Sequence, residues 1–151
     1  MASAPADTGA RPHGVRWTTP KGWTEAPANG MRVATLTPPA AHGKAEASVA
    51  AFPGDVGGEL ANVNRWRGQI ALPPLAQADL PRARRALRCP LGKIALYDFT
   101  AGGAAPARTV AGMIEVEGAT WFFKLTGDAR AVAADKPAFV RMLQGLTRDD
   151  S

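Results

Sequence analysis

Six side chains able to bond or stack fall within the eight positions 62 to 69: Asn62, Asn64, Arg65, Trp66, Arg67 and Gln69. They follow directly on the glycine-rich run FPGDVGG at 52–58. On a helix, 100° per residue brings Asn62, Arg65 and Gln69 within about 60° of one another beside Trp66, with Asn64 and Gly68 on the far side. Two chemistries fit that grouping. Arginine and tryptophan are typical anchors of protein recognition, and Asp55 in the preceding turn would extend such a surface. Alternatively, the polar side chains bond the carbonyls of the turn and lock the helix to its own sheet. The run GDVGGEL invites a phosphate-loop reading because helix N-termini attract anions. It lacks the Gly-Lys-Ser/Thr ending and the G-x-G-x-x-G spacing, and Asp55 and Glu59 would repel a phosphate, so it reads as a turn and a helix start.

The basic run PRARRALR is the second group. Read as a strand, it puts Arg82, Arg84 and Arg88 on one face, with Arg85 and Leu87 opposite. These arginines suit contact with phosphates or an acidic partner. They equally suit an edge strand guarded by charge against aggregation. No aromatic residue interleaves with them, so base stacking is unsupported and nucleic acid is a poor fit.

Material for catalysis is thin. Ser3 and Ser151 are terminal, and Ser48 has no G-x-S-x-G elbow around it. Cys89 and His42 have no spacing that makes a nucleophile–base pair, and His13 and His42 are too few for a recognisable metal site. The carboxylates Asp55, Glu59, Asp98, Glu115 and Glu117 remain, and acid–base chemistry would require them to meet in space. No catalytic residue, metal ligand or cofactor is assigned.

The totals bound what can hold these groups. A chain of 151 residues with 46% hydrophobic and 21% charged residues is one globular domain with a real core. One cysteine excludes an internal disulfide. Eighteen basic against 13 acidic residues, a net charge of +5, favour encounters with anionic partners. No apolar run reaches transmembrane length. The lead-in MASAPADTGARPHG has no apolar core of a signal peptide. Residues 1–14 are expected to be a disordered tether and 148–151 a frayed end. If an export signal once stood where Met1 is, the protein belongs to the periplasm or cell envelope; otherwise it is cytoplasmic.

Along the chain, a short strand near 15–18 is followed by a Pro20-Lys21-Gly22 turn with Trp23 returning. Strands are expected in MRVATLTP and in HGKAEASVAAF, the second ending at Pro53-Gly54. Residues 58–70 read as a helix with Leu60, Val63, Trp66 and Ile70 on one side, stopped by Pro73 and Pro74. LAQADL suits one more short turn. Strands then flank a turn at 90–92, and RTVAGMIEVEGATWFFKLTGD is a hairpin about Glu117-Gly118. Trp121, Phe123 and Leu125 point one way and Phe122 the other, which predicts a central strand covered on both faces. Asp128 and Asp135 are candidate caps of a last helix carrying Phe139, Val140, Leu143 and Leu146, with Pro137 in its first turn. The order gives an α+β domain, an antiparallel sheet with two main helices packed on it.

With that order, RWTTPKGW, AEASVAAFPG leading to a helix, TWFFKLTGD and a last helix with FVRML resemble the PsbP-like fold across residues 15–147. GW, MRVAT, FPGDVGGELANVNRWRGQIALPPL and WFFKLTGD are similar to a group of bacterial proteins without settled activity, often exported or lipid-anchored. The resemblance implies a non-enzymatic accessory or protein-interaction domain of the cell envelope, docking on a protein partner or membrane complex. No docking residue is carried over from it. The alternatives are a small hydrolase using carboxylates beside the same helix, and a polyanion binder using Arg82 to Arg88.

Overall fold

The computed structural model describes residues 14–149. The expected tether therefore lies outside the described residues except for Gly14, which is buried and whose carbonyl accepts the Asp149 amide at 3.1 Å. Along the chain come β1 (Val15–Arg16), β2 (Thr24–Ala26), β3 (Ala34–Thr37), β4 (Ala45–Pro53) and helix α1 (Glu59–Gln69). A 3-10 turn (Gln77–Asp79) leads into the short helix α2 (Leu80–Ala83). Then follow β5 (Arg85–Cys89), β6 (Gly92–Thr100), β7 (Ala107–Val116), β8 (Ala119–Asp128), helix α3 (Ala129–Gln144) and β9 (Thr147–Arg148). Seven strands form one antiparallel sheet in the order β2-β3-β4-β8-β7-β6-β5.

Local chemistry explains the strongest elements. Glu117 and Gly118 both sit at positive φ, as a type I′ turn requires, so β7 and β8 fold straight back on one another. Alternation in β8 then sorts its aromatics. Trp121, Phe123 and Leu125 join the core beneath α3 with Val132, Phe139 and Leu143. Phe122 joins a second core beneath α1, with Val63, Trp66, Tyr97 and Phe99. The predicted two-sided central strand is therefore present, and the molecule is a three-layer sandwich with α1 and α3 on opposite faces. Trp66 meets Phe122 edge-on at 5.9 Å between ring centroids, and truncating either ring would cost about 3–5 kcal/mol. On the other face α3 sits close because β7 has a glycine there. A Cβ on Gly112 would come within 3.0 Å of Ile94 Cγ2 and 3.2 Å of Leu143 Cδ1.

Four expectations are corrected. Val15–Arg16 makes no hairpin with the Trp23 segment but pairs with β9, so Arg148 is held in a strand and not frayed. Asp135 is not a helix cap: α3 runs from Ala129 straight through it, and Pro137 lies well inside the helix. The missing Pro137 N–H frees the carbonyl of Ala133, an exposed residue that water can reach. Asp128 stands at the cap position but spends its carboxylate on the Lys44 amide, 2.9 Å away. Finally, the arginine run is not one strand. Arg82 is in α2, Arg84 ends that helix, and only Arg85 and Arg88 are in β5. The reason is local: Asp79 accepts the Ala76 amide at 3.0 Å and pairs with Arg82 at 3.2 Å, which winds a turn ahead of the strand.

Candidate functional site

The polar side chains of α1 divide between internal and outward duties. Asn62 is 1% exposed, and its amide donates to the carbonyls of Val56 at 3.0 Å and Gly58 at 2.7 Å. Gly57 and Gly58 are at positive φ, so the turn opens its carbonyls toward the helix and Asn62 closes it. Asn64 makes a matched pair of bonds to the Leu75 backbone, at 3.0 and 2.7 Å, and Arg67 reaches the Pro73 carbonyl at 2.7 Å. Those bonds fix the proline-rich exit. Trp66 is 2% exposed, so neither it nor Asn62 offers contact area to a partner. Asn62, Asn64 and Arg67 thus fix the turn before the helix and the loop after it, and Trp66 packs the helix on the sheet.

Arg65, Gln69 and Asp55 remain exposed. Arg65 donates to Asn62 Oδ1 at 2.6 Å, and Gln69 Oε1 accepts the Lys124 ammonium at 2.8 Å. Lys124 was not singled out from the sequence, although strand alternation already puts it opposite Phe123. It stands on β8, the middle strand of seven, between Ser48 of β4 and Ala111 of β7. Burial, and then the charges of Arg65 and Arg32, push its pKa below the usual lysine value against the opposing pull of Glu46. Arg32 itself pairs with Glu46 at 2.8 Å and bonds the Thr35 hydroxyl at 3.1 Å. Toward β3 and β4, then, the α1 side of the sheet is a half-exposed polar surface of Thr35, Glu46, Ser48 and Lys124.

Three of the five carboxylates, Asp55, Glu59 and Glu115, do share one cleft of about 480 Å³, together with Lys93 and Thr120. Glu59 is already engaged there. Arg84 grips both of its oxygens, at 2.7 and 2.9 Å, and the Tyr97 hydroxyl donates to Oε2. Burial raises the Glu59 pKa, but the Arg84 and Tyr97 bonds and the Arg84 charge outweigh it, and the carboxyl titrates below its ordinary value. Burial and the Glu59 bond push Tyr97 up to about 12. A carboxylate held ionised by two donors is a poor general acid. Asp98 lies on the opposite face, and Glu117 pairs with Arg148 at the hairpin. Cys89 and His42 do not meet, since β5 is one edge of the sheet and His42 belongs to the turn between β3 and β4 at the other. Among the described residues no cluster of three or more ligating side chains could hold a metal.

The arginines separate by face. Arg84 serves Glu59 on the α1 side, and Arg88 is exposed on that side opposite Lys93. Arg82 and Arg85 turn instead to the α3 side, where they line a second cleft of about 590 Å³ with Asp98, Arg108 and Lys136. Among the described residues no helix is long and apolar enough to cross a membrane.

No protein-family model matches the sequence, and no curated protein does. Solved structures do resemble it. A Bacteroides thetaiotaomicron protein matches 91% of this chain at 8% identity with a TM-score of 0.56, over 46% of its own length. A Pseudomonas aeruginosa protein of unknown function matches 93% at 14% identity, over 87% of its own length, with a TM-score of 0.49. The cyanobacterial PsbP of Synechocystis, from the family whose pattern residues 15–147 resemble, matches 99% of both chains at 11% identity with a TM-score of 0.45. This chain thus spans about half the length of the Bacteroides protein, and at such identities the likeness is one of fold.

Proposed function

We propose that this is a non-enzymatic interaction domain that receives an acidic protein segment on the polar sheet surface beside α1. The observation that carries the reading is Lys124. A cation half-buried in the central strand and crowded by Arg65 and Arg32 is unfavourable for the isolated domain, and a partner carboxylate would relieve it. Its ammonium has three donors, of which Gln69 takes one. Thr35 and Ser48 supply flanking hydroxyls, while Arg65 and Gln69 frame the surface from the helix. Asp55, in the turn that leads into α1, would disfavour misplaced acidic residues there. Association with the bacterial cell envelope, as the resemblance implies, belongs to the same reading.

The test is a titration of labelled protein with a glutamate-rich peptide, read by amide chemical shifts. Shifts centred on Thr35, Ser48, Arg65 and Lys124, with affinity that falls in salt and on Lys124→Met, are expected. Shifts confined to the α3 side, or unchanged affinity in Lys124→Met, would overturn the docking surface. Fractionation of native cells tests the location, and recovery from the cytosol alone would count against the envelope.

A further inference from the structure

The cleft on the α3 side is a different site with its own chemistry. Asp98 lines it and accepts three charged hydrogen bonds. Arg108 Nε donates to Oδ1 at 2.9 Å, Arg108 Nη2 to Oδ2 at 2.6 Å, and Lys136 Nζ to Oδ2 at 2.7 Å. Burial would raise the Asp98 pKa, but these bonds and charges outweigh it and keep the carboxyl ionised. Its effect is to hold two cations from β7 and α3 side by side. Three of the five guanidinium N–H groups and two of the three ammonium N–H groups are left over. From the facing wall come Arg82, whose partner is Asp79, and Arg85, which has no ion-pair partner among the described residues. Four cations thus meet two carboxylates, an excess of two positive charges around one concavity.

We propose that this cleft binds a small phosphate monoester. A dianion matches the excess charge, and its three terminal oxygens suit forked guanidinium donors arriving from two sides. Leu96 and Ala83 add apolar wall for an organic portion, and about 590 Å³ lies within the size range of small-molecule sites. The Thr100 hydroxyl at the rim adds one more neutral donor. A long nucleic acid fits less well, because the cations converge on a pocket instead of forming a row, and Tyr97, the aromatic residue in the lining, is 1% exposed with its ring stacked on Phe99 in the opposite core, so it offers no face to a base.

The two exposed arginines of β5 provide the control. Arg85 points into the cleft and Arg88 to the opposite side of the sheet, so Arg85→Gln and Arg88→Gln change net charge equally while only one touches the site. Calorimetry with inorganic phosphate and glycerol 3-phosphate at low salt, and flotation with vesicles containing phosphatidic acid, would be compared for the two variants, each checked for folding by circular dichroism. One-to-one binding that weakens about tenfold in Arg85→Gln and stays within about twofold in Arg88→Gln is expected. Binding in solution identifies a free phosphate ester as the source, and binding only to vesicles identifies a lipid headgroup. No binding to either at millimolar phosphate, or equal losses in both variants, overturns the site. So does tighter binding of a single-stranded oligonucleotide that both variants weaken alike. Lys124→Met, on the other face, should leave phosphate binding unchanged, which separates failure of this site from failure of the peptide surface.

Discussion

Arg84 and Glu59, 25 residues apart in the chain, form a two-pronged ion pair that ties the first turn of α1 to the residue leading into β5. Tyr97 of β6 donates to the same carboxylate, so a helix, an edge strand and its neighbour converge on one charged group. The hydrogen bond to Glu59 in turn raises the Arg84 pKa, so the pair stays charged together. This contact closes the lower end of the second core, above which Trp66 packs on Phe122 and Tyr97.

That pair makes stability depend on pH. The Glu59 carboxyl titrates below its ordinary 4.5 in the folded state, so between the two values the unfolded chain binds more protons. Its contribution is therefore complete above about 4.5 and is lost as pH falls through the folded value. Denaturant unfolding of wild type and Arg84→Ala should show a difference of about 1–2 kcal/mol at pH 7 that shrinks in acid. A difference that is the same at pH 7 and pH 3 would mean that Arg84 acts only through packing.

Asn62 offers a cleaner structural test. Its amide satisfies two turn carbonyls from a fully buried position, and its oxygen accepts from Arg65. Asn62→Ala should cost about 1–3 kcal/mol, since the Val56 carbonyl loses the amide donor and the Gly58 carbonyl keeps only the backbone N–H of residue 62, at 3.3 Å. Amide exchange should speed up first in residues 54–58, ahead of any change in β7 or β8. Slow exchange retained in that turn would show that the glycines hold it unaided.

The elements that were legible in the sequence were those with local causes. Glu117-Gly118 announces its turn, and the alternation of Trp121, Phe122 and Phe123 announces a strand with two packed faces. The apolar stripe of α1 was equally plain. The arginine run misled because alternation counts side chains without weighing the Asp79–Arg82 pair, which was visible in ADLPRA as a helix signal. Pairing of β1 with β9 had no local trace, because it joins residues more than 130 positions apart. The basic cleft was hidden for the same reason. Asp98, Arg108 and Lys136 come from three elements, and nothing in their separate neighbourhoods connects them. Of the α1 group, spacing gave the grouping of Asn62, Arg65 and Gln69, but burial, which spacing does not determine, assigned Asn62 to the turn.

Gly127 of β8 faces Ala45 of β4 with no room for a side chain. A Cβ there would lie 2.2 Å from the Lys44 carbonyl oxygen and 2.6 Å from the Ala45 Cα, both backbone atoms that cannot rotate away. Gly127→Ala must therefore part the strands or shift their register. A loss of about 3 kcal/mol is expected, with the melting temperature falling by several degrees. Gly68, with nothing within 4 Å of its added Cβ, provides the contrast. Gly68→Ala in the exposed last turn of α1 should stabilise by about 0.5–1 kcal/mol.

Lys124 brings stability and function into opposition. Its folded pKa lies below that of the unfolded lysine, so at neutral pH, where the group is charged in both states, the fold carries a penalty that is relieved only as pH rises through the folded value. Methionine has the length to lie along the same path without the charge, and it removes the repulsion from Arg65 and Arg32. It also leaves Gln69 without its partner, but Gln69 is exposed and water can replace that bond. Lys124→Met should therefore stabilise the domain by on the order of 0.5 kcal/mol at pH 7 while weakening capture of the acidic peptide. The stability gain should shrink as the pH is raised toward the lysine range, because the wild type loses its penalty there. A variant that is destabilised at pH 7 would mean the ammonium stabilises the fold through its bond to Gln69 and the attraction of the Glu46 charge. Lys124 would then be a structural lysine, and the acidic partner would have to be sought elsewhere.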